Sequence, residues 1–206
     1  MELGLAGKVA LVTGSSRGIG RGIALALADE GCNVLVTGRD EAALAEVASS
    51  IRSTGVKAVA AALDLCEAGT AGALVDTVRS ELGGLDILVN NAGATRRGDF
   101  IALSDADWQD GFALKFFAHV RLARAAWPLL KERRGSLITI AGTSGRKPQA
   151  GFTIGSSVNA ACAAFTKALA DLGKQDGVQV NCIHPSVVDT DRQSLFEDFR
   201  PDCRVF

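Results

Sequence analysis

A glycine-rich segment near the start of the chain has the residue types and spacing of a phosphate-binding turn. It reads Thr13-Gly14-Ser15-Ser16-Arg17-Gly18-Ile19-Gly20, between an apolar run at Lys8–Val12 and an amphipathic run at Ile19–Glu30. Glycines allow a tight turn and close backbone approach, and the N-terminus of the following helix offers free N–H groups to an anion. Because a strand precedes the turn and a helix follows it, a pyrophosphate site is favoured over an ordinary glycine turn.

Composition limits the chemistry further. The 206 residues include no tyrosine, so no step can use a phenol of this chain as acid, base or nucleophile. The 22 Lys and Arg balance 23 Asp and Glu, which argues against a broad cationic surface for nucleic acid. The cysteines form no Cys-x-x-Cys pair and indicate buried thiols in a reducing compartment, with no metal site; they are Cys32, Cys66, Cys162, Cys182 and Cys203.

The chain shows no sign of export or membrane insertion. Its first residues lack a basic segment followed by an apolar core. No apolar run approaches the ~18 residues that a membrane-spanning helix needs. We therefore expect a cytoplasmic protein that does not bind a membrane.

Short β-branched runs alternate with longer amphipathic runs along residues 1–206. The predicted strands are Lys8–Val12, Asn33–Thr37, Lys57–Ala61, Asp86–Val89, Ser136–Ile140 and Gln179–Ile183. The predicted helices are Ile19–Glu30, Glu41–Thr54, Leu74–Leu82, Ser104–Arg133 and Ser156–Lys174, with a bend expected at Trp127-Pro128. Most strands are nearly continuously apolar, as in a sheet covered on both faces. The alternation predicts one α/β domain, a doubly wound parallel (Rossmann) sheet of six strands in three layers.

Several motifs appear in the order that characterises the short-chain dehydrogenase/reductase family, which the chain resembles from about Gly4 to about Asp191. These are Thr-Gly-x-x-x-Gly-x-Gly at 13–20, Asp64-Leu65, Asn90-Asn91-Ala92-Gly93, Trp108 and Asn181-x-x-x-Pro185. The resemblance implies a nicotinamide dinucleotide along the C-terminal edge of the sheet. The residues implied are Gly14, Ser16, Gly18, Ile19 and Gly20 for pyrophosphate and ribose, Asp64 and Leu65 for adenine, Asn91, Ala92 and Gly93 for the adenosine side, and Val188 and Thr190 for the carboxamide.

The choice of dinucleotide depends on charge after the second predicted strand. A carboxylate there binds both ribose hydroxyls of NAD and repels a 2′-phosphate. Here Arg39 follows the strand and Arg17 lies in the glycine turn, and two guanidinium groups suit a phosphate dianion. The sequence therefore favours NADP over NAD. The alternative is that Arg39 is only solvated and that Asp40 binds the ribose.

The resemblance also implies four catalytic positions, and none of them keeps the family's residue. The serine position falls on Gly142, the tyrosine on Gly155, the lysine on Asn159 and the asparagine on Lys115. We expect the two glycines to open space beside the nicotinamide. Lys115 and Asn159 are the candidate catalytic residues, because their residue types have exchanged positions.

Lys115 offers a substitute for the missing acid. We hypothesise that its ammonium reaches the pocket from the opposite wall and polarises or protonates a carbonyl. His119 lies one turn further along the predicted helix, where like charge would lower the lysine pKa. The alternative is that Lys115 points to solvent beside neighbouring phenylalanines and that His119 packs on a surface.

The chain ends soon after Thr190, at Phe206. Members of the family usually continue with substrate-covering helices and a seventh strand, so the resemblance predicts a short or absent lid and no seventh strand. The two long helices, Ser104–Arg133 and Ser156–Lys174, form the family's other usual subunit surface. We therefore expect a homodimer.

Two classes of function follow. The first is an NADP-dependent oxidoreductase that acts on a carbonyl or secondary alcohol of a small molecule through a non-standard acid. The second is a dinucleotide-binding sensor or partner protein without turnover. The cofactor residues are the same under both, and the substrate and the direction of reaction are not encoded in these motifs.

Overall fold

The computed structural model describes residues 2–190, which form one parallel sheet flanked by helices. The strands are β1 Val9–Thr13, β2 Asn33–Gly38, β3 Ala58–Ala62, β4 Ile87–Asn90, β5 Ser136–Ile140 and β6 Gln179–Ile183. The helices are α1 Gly18–Asp29, α2 Glu41–Arg52, α3 Thr70–Thr77, α4 Asp105–Phe112, α5 Ala118–Arg133 and α6 Thr153–Asp176. Two π-helical turns, Val78–Leu82 and Ala113–Phe117, follow α3 and join α4 to α5.

The strand order is β3-β2-β1-β4-β5-β6, with every pair parallel. The order reverses between β1 and β4, so the loops that leave these two strands diverge. In open α/β sheets the ligand crevice lies at this point, outside the carboxyl ends of the strands. The fold therefore places a site where the glycine-rich turn leaves β1.

Apolar side chains cover both faces of the sheet, which confirms the three-layer prediction. On one face α1 and α2 pack against Val12, Val36 and Val89. On the other face α3, α5 and α6 pack against Leu11, Leu88 and their neighbours. Because β1, β2 and β4 are buried on both sides, their sequences are largely apolar without alternation, whereas the edge strands β3 and β6 contain exposed residues.

The predicted elements agree with the structure to within a few residues, except in two helices. Each strand begins and ends within one residue of its predicted bounds. The third helix begins at Thr70 rather than Leu74, because the Thr70 hydroxyl donates to the Asp64 carbonyl and this residue is buried with the helix. The long helix is divided by the π turn at Ala113–Phe117, and α5 continues through Pro128. The predictions about a lid and a seventh strand fall on residues 191–206, outside the described part.

Candidate functional site

Two positions of the glycine-rich turn, Gly14 and Gly20, are packed too tightly to accept a side chain. Gly14 has φ +63°, and a β-carbon there would lie 2.9 Å from the Ala92 Cα. A β-carbon at Gly20 would overlap the Gly14 carbonyl oxygen. The turn therefore lies directly on the β4 loop and on the first turn of α1.

The N-terminus of α1 has no side-chain cap. Arg17 occupies the N-cap position without a capping hydrogen bond, and no acidic residue lies in the first turn. Asp40 caps α2 and a capping box at Ser104 and Asp107 caps α4, whereas α3, α5 and α6 lack a side-chain cap as α1 does. The first N–H groups of α1 and its positive dipole end therefore fit a pyrophosphate, which supplies the acceptors that a capping residue would provide.

Thr13 and Asn91 hold the crevice between β1 and β4 together. The Thr13 hydroxyl donates to the Val89 carbonyl and accepts from the N–H groups of Asn91 and Ala92 at 2.9 and 3.0 Å. The Asn91 amide donates to the carbonyls of Thr13 and Gly14 at 2.9 and 3.2 Å. Asn91 thus braces the glycine turn through its side chain, a positioning role that the sequence motif does not reveal.

The residues predicted for the adenosine end surround the ends of β2 and β3. Arg17 and Arg39 are both exposed, and the Ser16 hydroxyl lies 3.6 Å from the β-carbon position of Gly38, so the glycine turn meets the end of β2. Asp40, the alternative ribose ligand, accepts from the Ala43 N–H at 3.0 Å as the cap of α2.

Two further adenosine candidates are engaged within their own loop. Asp64 accepts from the Cys66 N–H at 2.8 Å. The Leu65 side chain is buried in the core, and its carbonyl accepts from Arg121. The Asp64 carboxylate and the Leu65 backbone thus shape the end of β3.

The residues predicted for the nicotinamide end come together at the other side of α1. A cavity of about 420 Å³ is lined by Gly18, Ile19, Gly22, Ile23, Ala26, Pro185, Val188, Asp189 and Thr190. The Thr190 methyl group lies 3.6 Å from the β-carbon position of Gly18. Helix α1 and the segment after β6 therefore line this cavity together.

Lys115 lies across the ends of β4 and β5. Its aliphatic stem covers Gly93, where an added β-carbon would be 2.7 Å from Cδ, and its ammonium donates to the Ala141 carbonyl at 3.0 Å. The π turn carries it there, and the Cys162 thiol donates to the Lys115 carbonyl at 3.3 Å. The alternative that Lys115 points to solvent is wrong; the neighbouring phenylalanines pack elsewhere, with Phe116 against Phe117 and Phe165.

His119 does not supply the like charge proposed for it. The ring is buried, and its Nε2 lies 2.7 Å from the Ala92 carbonyl, to which it donates as neutral imidazole. Burial, more than the nearby Lys115 charge, lowers the pKa of His119 to about 4. At neutral pH this residue is uncharged, so it cannot lower the pKa of Lys115 by repulsion. That part of the hypothesis is wrong, and His119 instead holds the loop after β4.

This pKa predicts a specific loss of stability in acid. Unfolding returns the pKa of His119 from about 4 to about 6.5. The neutral ring therefore contributes fully to the free energy of unfolding above pH 6.5, and this contribution is lost as the pH falls toward 4. The loss amounts to about 3 kcal/mol. Urea unfolding of wild type and His119→Gln, whose amide also donates to Ala92, should show a shallower decline for the variant; equal declines would contradict the assignment.

Asn159 also lies at the end of β5. Its amide donates to the Ser144 hydroxyl at 2.8 Å, and its buried Oδ1 has no hydrogen-bond partner among the described residues. A β-carbon at Gly142 would lie 2.8 Å from the Asn159 Nδ2, and His184 Nδ1 lies 3.2 Å from the Gly142 carbonyl. Lys115 and Asn159 therefore approach the same strand end, from the π turn before α5 and from α6.

The expected space at the two glycines is absent. The Asn159 amide fills the position beside Gly142, and a β-carbon at Gly155 would overlap the ring of Phe152. Phe152 precedes Gly155 by three residues, and the 3₁₀ turn Ala150–Phe152 leads directly into α6, which directs the ring over the glycine. The prediction of an open pocket is wrong because neighbouring side chains occupy the positions of the serine and the tyrosine.

The Arg97 guanidinium lies over the ring of Phe152. Its guanidinium carbon lies 3.9 Å from the centroid of Phe152, and the Gly98 N–H donates to the Gly151 carbonyl at 3.3 Å. These contacts join the loop after β4 to the loop after β5. Sequence reasoning missed both residues; the available signal was a large aromatic residue three positions before a glycine at a helix start.

A doubly wound sheet with an uncapped glycine cradle at its switch point defines a nucleotide-binding α/β protein. Residues 8–200 match the family model described as short chain dehydrogenase. The chain is 33% identical over 197 residues to the 3-oxoacyl-[acyl-carrier-protein] reductase FabG of Vibrio harveyi, covering 95% of this chain and 80% of that protein. The chain belongs to the short-chain dehydrogenase family, and it is an oxidoreductase of that type.

Solved structures agree with this placement. L-sorbose reductase from Gluconobacter frateurii, complexed with NADPH and L-sorbose, has a TM-score of 0.91 and 36% identity over 98% of this chain and 80% of that chain. A 7 alpha-hydroxysteroid dehydrogenase complexed with NADH and 7-oxo glycochenodeoxycholic acid has a TM-score of 0.89 and 30% identity, covering 93% and 75%. Among residues 2–190 no helix is long and apolar enough to span a membrane, and no cluster of potential metal ligands occurs.

Proposed function

We propose that the protein is an NADP-dependent oxidoreductase that interconverts a carbonyl group and a secondary alcohol on a small molecule, with Lys115 as the non-standard acid. The observation that carries the proposal is the Lys115 ammonium at the C-terminal end of β5, 3.0 Å from the Ala141 carbonyl, beside the glycine cradle. A cation at this sheet edge can polarise a carbonyl oxygen where the family's phenol is missing.

Charge at the adenosine end supports NADP over NAD. Arg17 and Arg39 are exposed at the ends of the glycine turn and β2, while Asp40 is engaged as the cap of α2. A 2′-phosphate dianion would receive charge-assisted hydrogen bonds from both guanidinium groups. Relatives with bound NADPH and with bound NADH are both known, so this choice depends on the residues of this chain.

The chain's own groups can complete the reaction around a bound nicotinamide dinucleotide, which supplies a hydride to the carbonyl carbon. The electron pair of the C=O bond then moves to oxygen, and Lys115 gives that oxygen a proton and regains one from solvent. Asn159, whose amide donates to the Ser144 hydroxyl and whose Oδ1 is buried, lies at the same strand end and orients the loop after β5 that would face the ligand. The products are a secondary alcohol and the oxidised dinucleotide.

A second candidate is dinucleotide binding without turnover, as a sensor or as a partner of an active relative. Phe152 favours it, because its ring occupies the space where a side chain at position 155 would begin, and the ring offers no proton. The uncapped α1 terminus serves this function equally well. Turnover therefore discriminates between the two candidates, whereas cofactor binding does not.

We infer a homodimer from the two long helices. Phe117, between α4 and α5, and Leu172, on α6, are 50% and 43% exposed. These two apolar side chains lie at or beside the long helices expected to form the subunit contact, and their burial between two copies would stabilise the dimer. Sedimentation equilibrium should give twice the chain mass of 21.3 kDa.

The test of function is a carbonyl panel with NADPH, followed at the nicotinamide absorbance. We expect at least one ketone to be reduced, with one NADPH consumed per secondary alcohol formed. Because a positioned acid contributes about 10²–10⁴ in rate, turnover by Lys115 should clearly exceed the reaction without protein. Tight NADPH binding with no oxidation across the panel would favour the sensor and contradict the enzymatic proposal.

A further inference from the structure

The hydrogen-bond ladder between β5 and β6 continues for a few residues past both strands, and one of its bonds is missing. The Ala141 N–H donates to the Ile183 carbonyl at 2.9 Å, and the Thr143 N–H donates to the Pro185 carbonyl at 3.0 Å. In a parallel ladder the bonds are evenly spaced and their donors alternate between the strands, so the bond between these two belongs to the N–H of residue 185 and the carbonyl of residue 141. Proline has no N–H. The Ala141 carbonyl therefore lacks its ladder donor.

The Lys115 ammonium donates to this carbonyl at 3.0 Å. Ala141 is buried, and a buried carbonyl without a donor destabilises a fold. The proline at position 185 thus leaves an acceptor available, and the lysine at position 115 supplies the donor that this acceptor needs.

The rest of Lys115 is held by two other contacts. Its backbone carbonyl accepts from the Cys162 thiol at 3.3 Å, and its stem lies over Gly93, where an added β-carbon would be 2.7 Å from Cδ. The backbone and the stem are therefore fixed by packing and by the π turn. The position of the ammonium at the end of that stem depends on the Ala141 carbonyl.

We propose that Pro185 is a positioning residue for Lys115. By withholding one ladder hydrogen bond, Pro185 keeps the Ala141 carbonyl available to the ammonium and so fixes the ammonium at the end of β5. This inference rests on the proposed oxidoreductase function, in which that ammonium is the acid. A residue with an N–H at position 185 completes the ladder and competes with Lys115 for the carbonyl.

A double-mutant cycle of Pro185→Ala and Lys115→Met, followed by urea unfolding, tests this coupling without an assay of activity. In wild type, Pro185→Ala gains the ladder bond at the expense of the ammonium contact. In Lys115→Met it gains the same bond and displaces nothing. We expect Pro185→Ala to raise the folding equilibrium constant about 3- to 10-fold more in Lys115→Met than in wild type, the factor that one hydrogen bond supplies. Equal effects in the two backgrounds would overturn the proposal.

Pro128→Ala is the matched control, because Pro128 is exposed within α5 and its replacement also adds an N–H. Its effect should be the same in both backgrounds, since the entropy that the unfolded chain gains on losing a proline cancels in the cycle. A coupling of Pro128 to Lys115 as large as that of Pro185 would overturn the assignment. If Pro185→Ala does not fold, Pro185→Val takes its place, because valine also supplies the N–H and suits a strand.

Acetylation by acetic anhydride, quantified by mass spectrometry, reports on the ammonium itself. In wild type, Lys115 should react about 3- to 10-fold more slowly than exposed Lys57, because its hydrogen bond to Ala141 holds it in the unreactive protonated form. Pro185→Ala should bring the two rates closer together. Equal rates in wild type, or a ratio that Pro185→Ala leaves unchanged, would overturn the proposal.

Turnover and calorimetric NADPH affinity, measured on the same variants, separate this proposal from the proposed function. The affinity is needed because Pro185 also lines the cavity beside α1, so its replacement acts on the cofactor as well. Coupling between positions 115 and 185 in a protein without turnover would support the positioning role and contradict the proposed reaction. Turnover without coupling would overturn the positioning role while the reaction stands. Neither coupling nor turnover would overturn both.

Discussion

Replacing Arg39 with alanine is expected to weaken NADPH binding by about 10- to 100-fold and to leave NADH binding unchanged. Arg39 is exposed at the end of β2, where the glycine turn approaches through Ser16. Its loss removes charge-assisted hydrogen bonds to a 2′-phosphate, each worth about 1.5–3 kcal/mol. NADH lacks that phosphate and therefore loses nothing.

The measurement is a pair of dissociation constants, for NADPH and NADH, on wild type, Arg39→Ala and Arg17→Ala. Arg124→Ala, an exposed arginine on α5, is the control for a change of net charge alone and should alter neither constant. If Asp40 instead binds the ribose, wild type will prefer NADH and Arg39→Ala will leave the ratio unchanged. That outcome would reverse the assignment of the cofactor.

Replacing Lys115 with methionine is expected to reduce turnover by about 10²- to 10⁴-fold with little effect on NADPH affinity. Methionine keeps an aliphatic stem over Gly93 and removes only the ammonium beside the Ala141 carbonyl. The loss should appear mainly in kcat, because the proton is transferred as the carbonyl is reduced.

Steady-state kinetics with the best substrate of the carbonyl panel measures this loss. Lys57→Met is the matched control, since Lys57 is exposed just before β3, at the sheet edge opposite the crevice. It should change neither kcat nor KM. Unaltered turnover in Lys115→Met would contradict the assignment of Lys115 as the acid, whatever the control shows.

The sheet was predictable because each strand is a short apolar run and such runs recur along the chain. Continuous apolar runs such as Val9–Thr13 and Ile87–Asn90 have few alternatives to a strand covered on both faces. The cradle was equally predictable, since Gly14 and Gly20 occur between a strand and a helix. The π turn at Ala113–Phe117 was not predictable, because an inserted helical residue leaves no period in the sequence that distinguishes it from an α-helix.

The sequence predicted two catalytic residues, and the structure shows surroundings for them that the sequence did not predict. The exchanged types at Lys115 and Asn159 were visible in the sequence, and both side chains reach the end of β5. The ionisation state of His119 depends on how deeply the ring is buried, which three-dimensional packing decides. The position of the Phe152 ring over Gly155 likewise depends on the direction of a side chain, which the sequence does not reveal. The glycine at position 155 was therefore not sufficient to predict an empty space.

The most direct test of the account is a calorimetric titration of the purified, folded chain with NADPH. The uncapped N-terminus of α1 and the glycine turn predict saturable binding of one NADPH per chain. We expect a dissociation constant in the micromolar range or below, which corresponds to a binding free energy of about −8 kcal/mol or stronger. A chain that unfolds cooperatively on heating yet shows no saturable heat with NADPH or NADH would contradict the nucleotide site on which every other proposal depends.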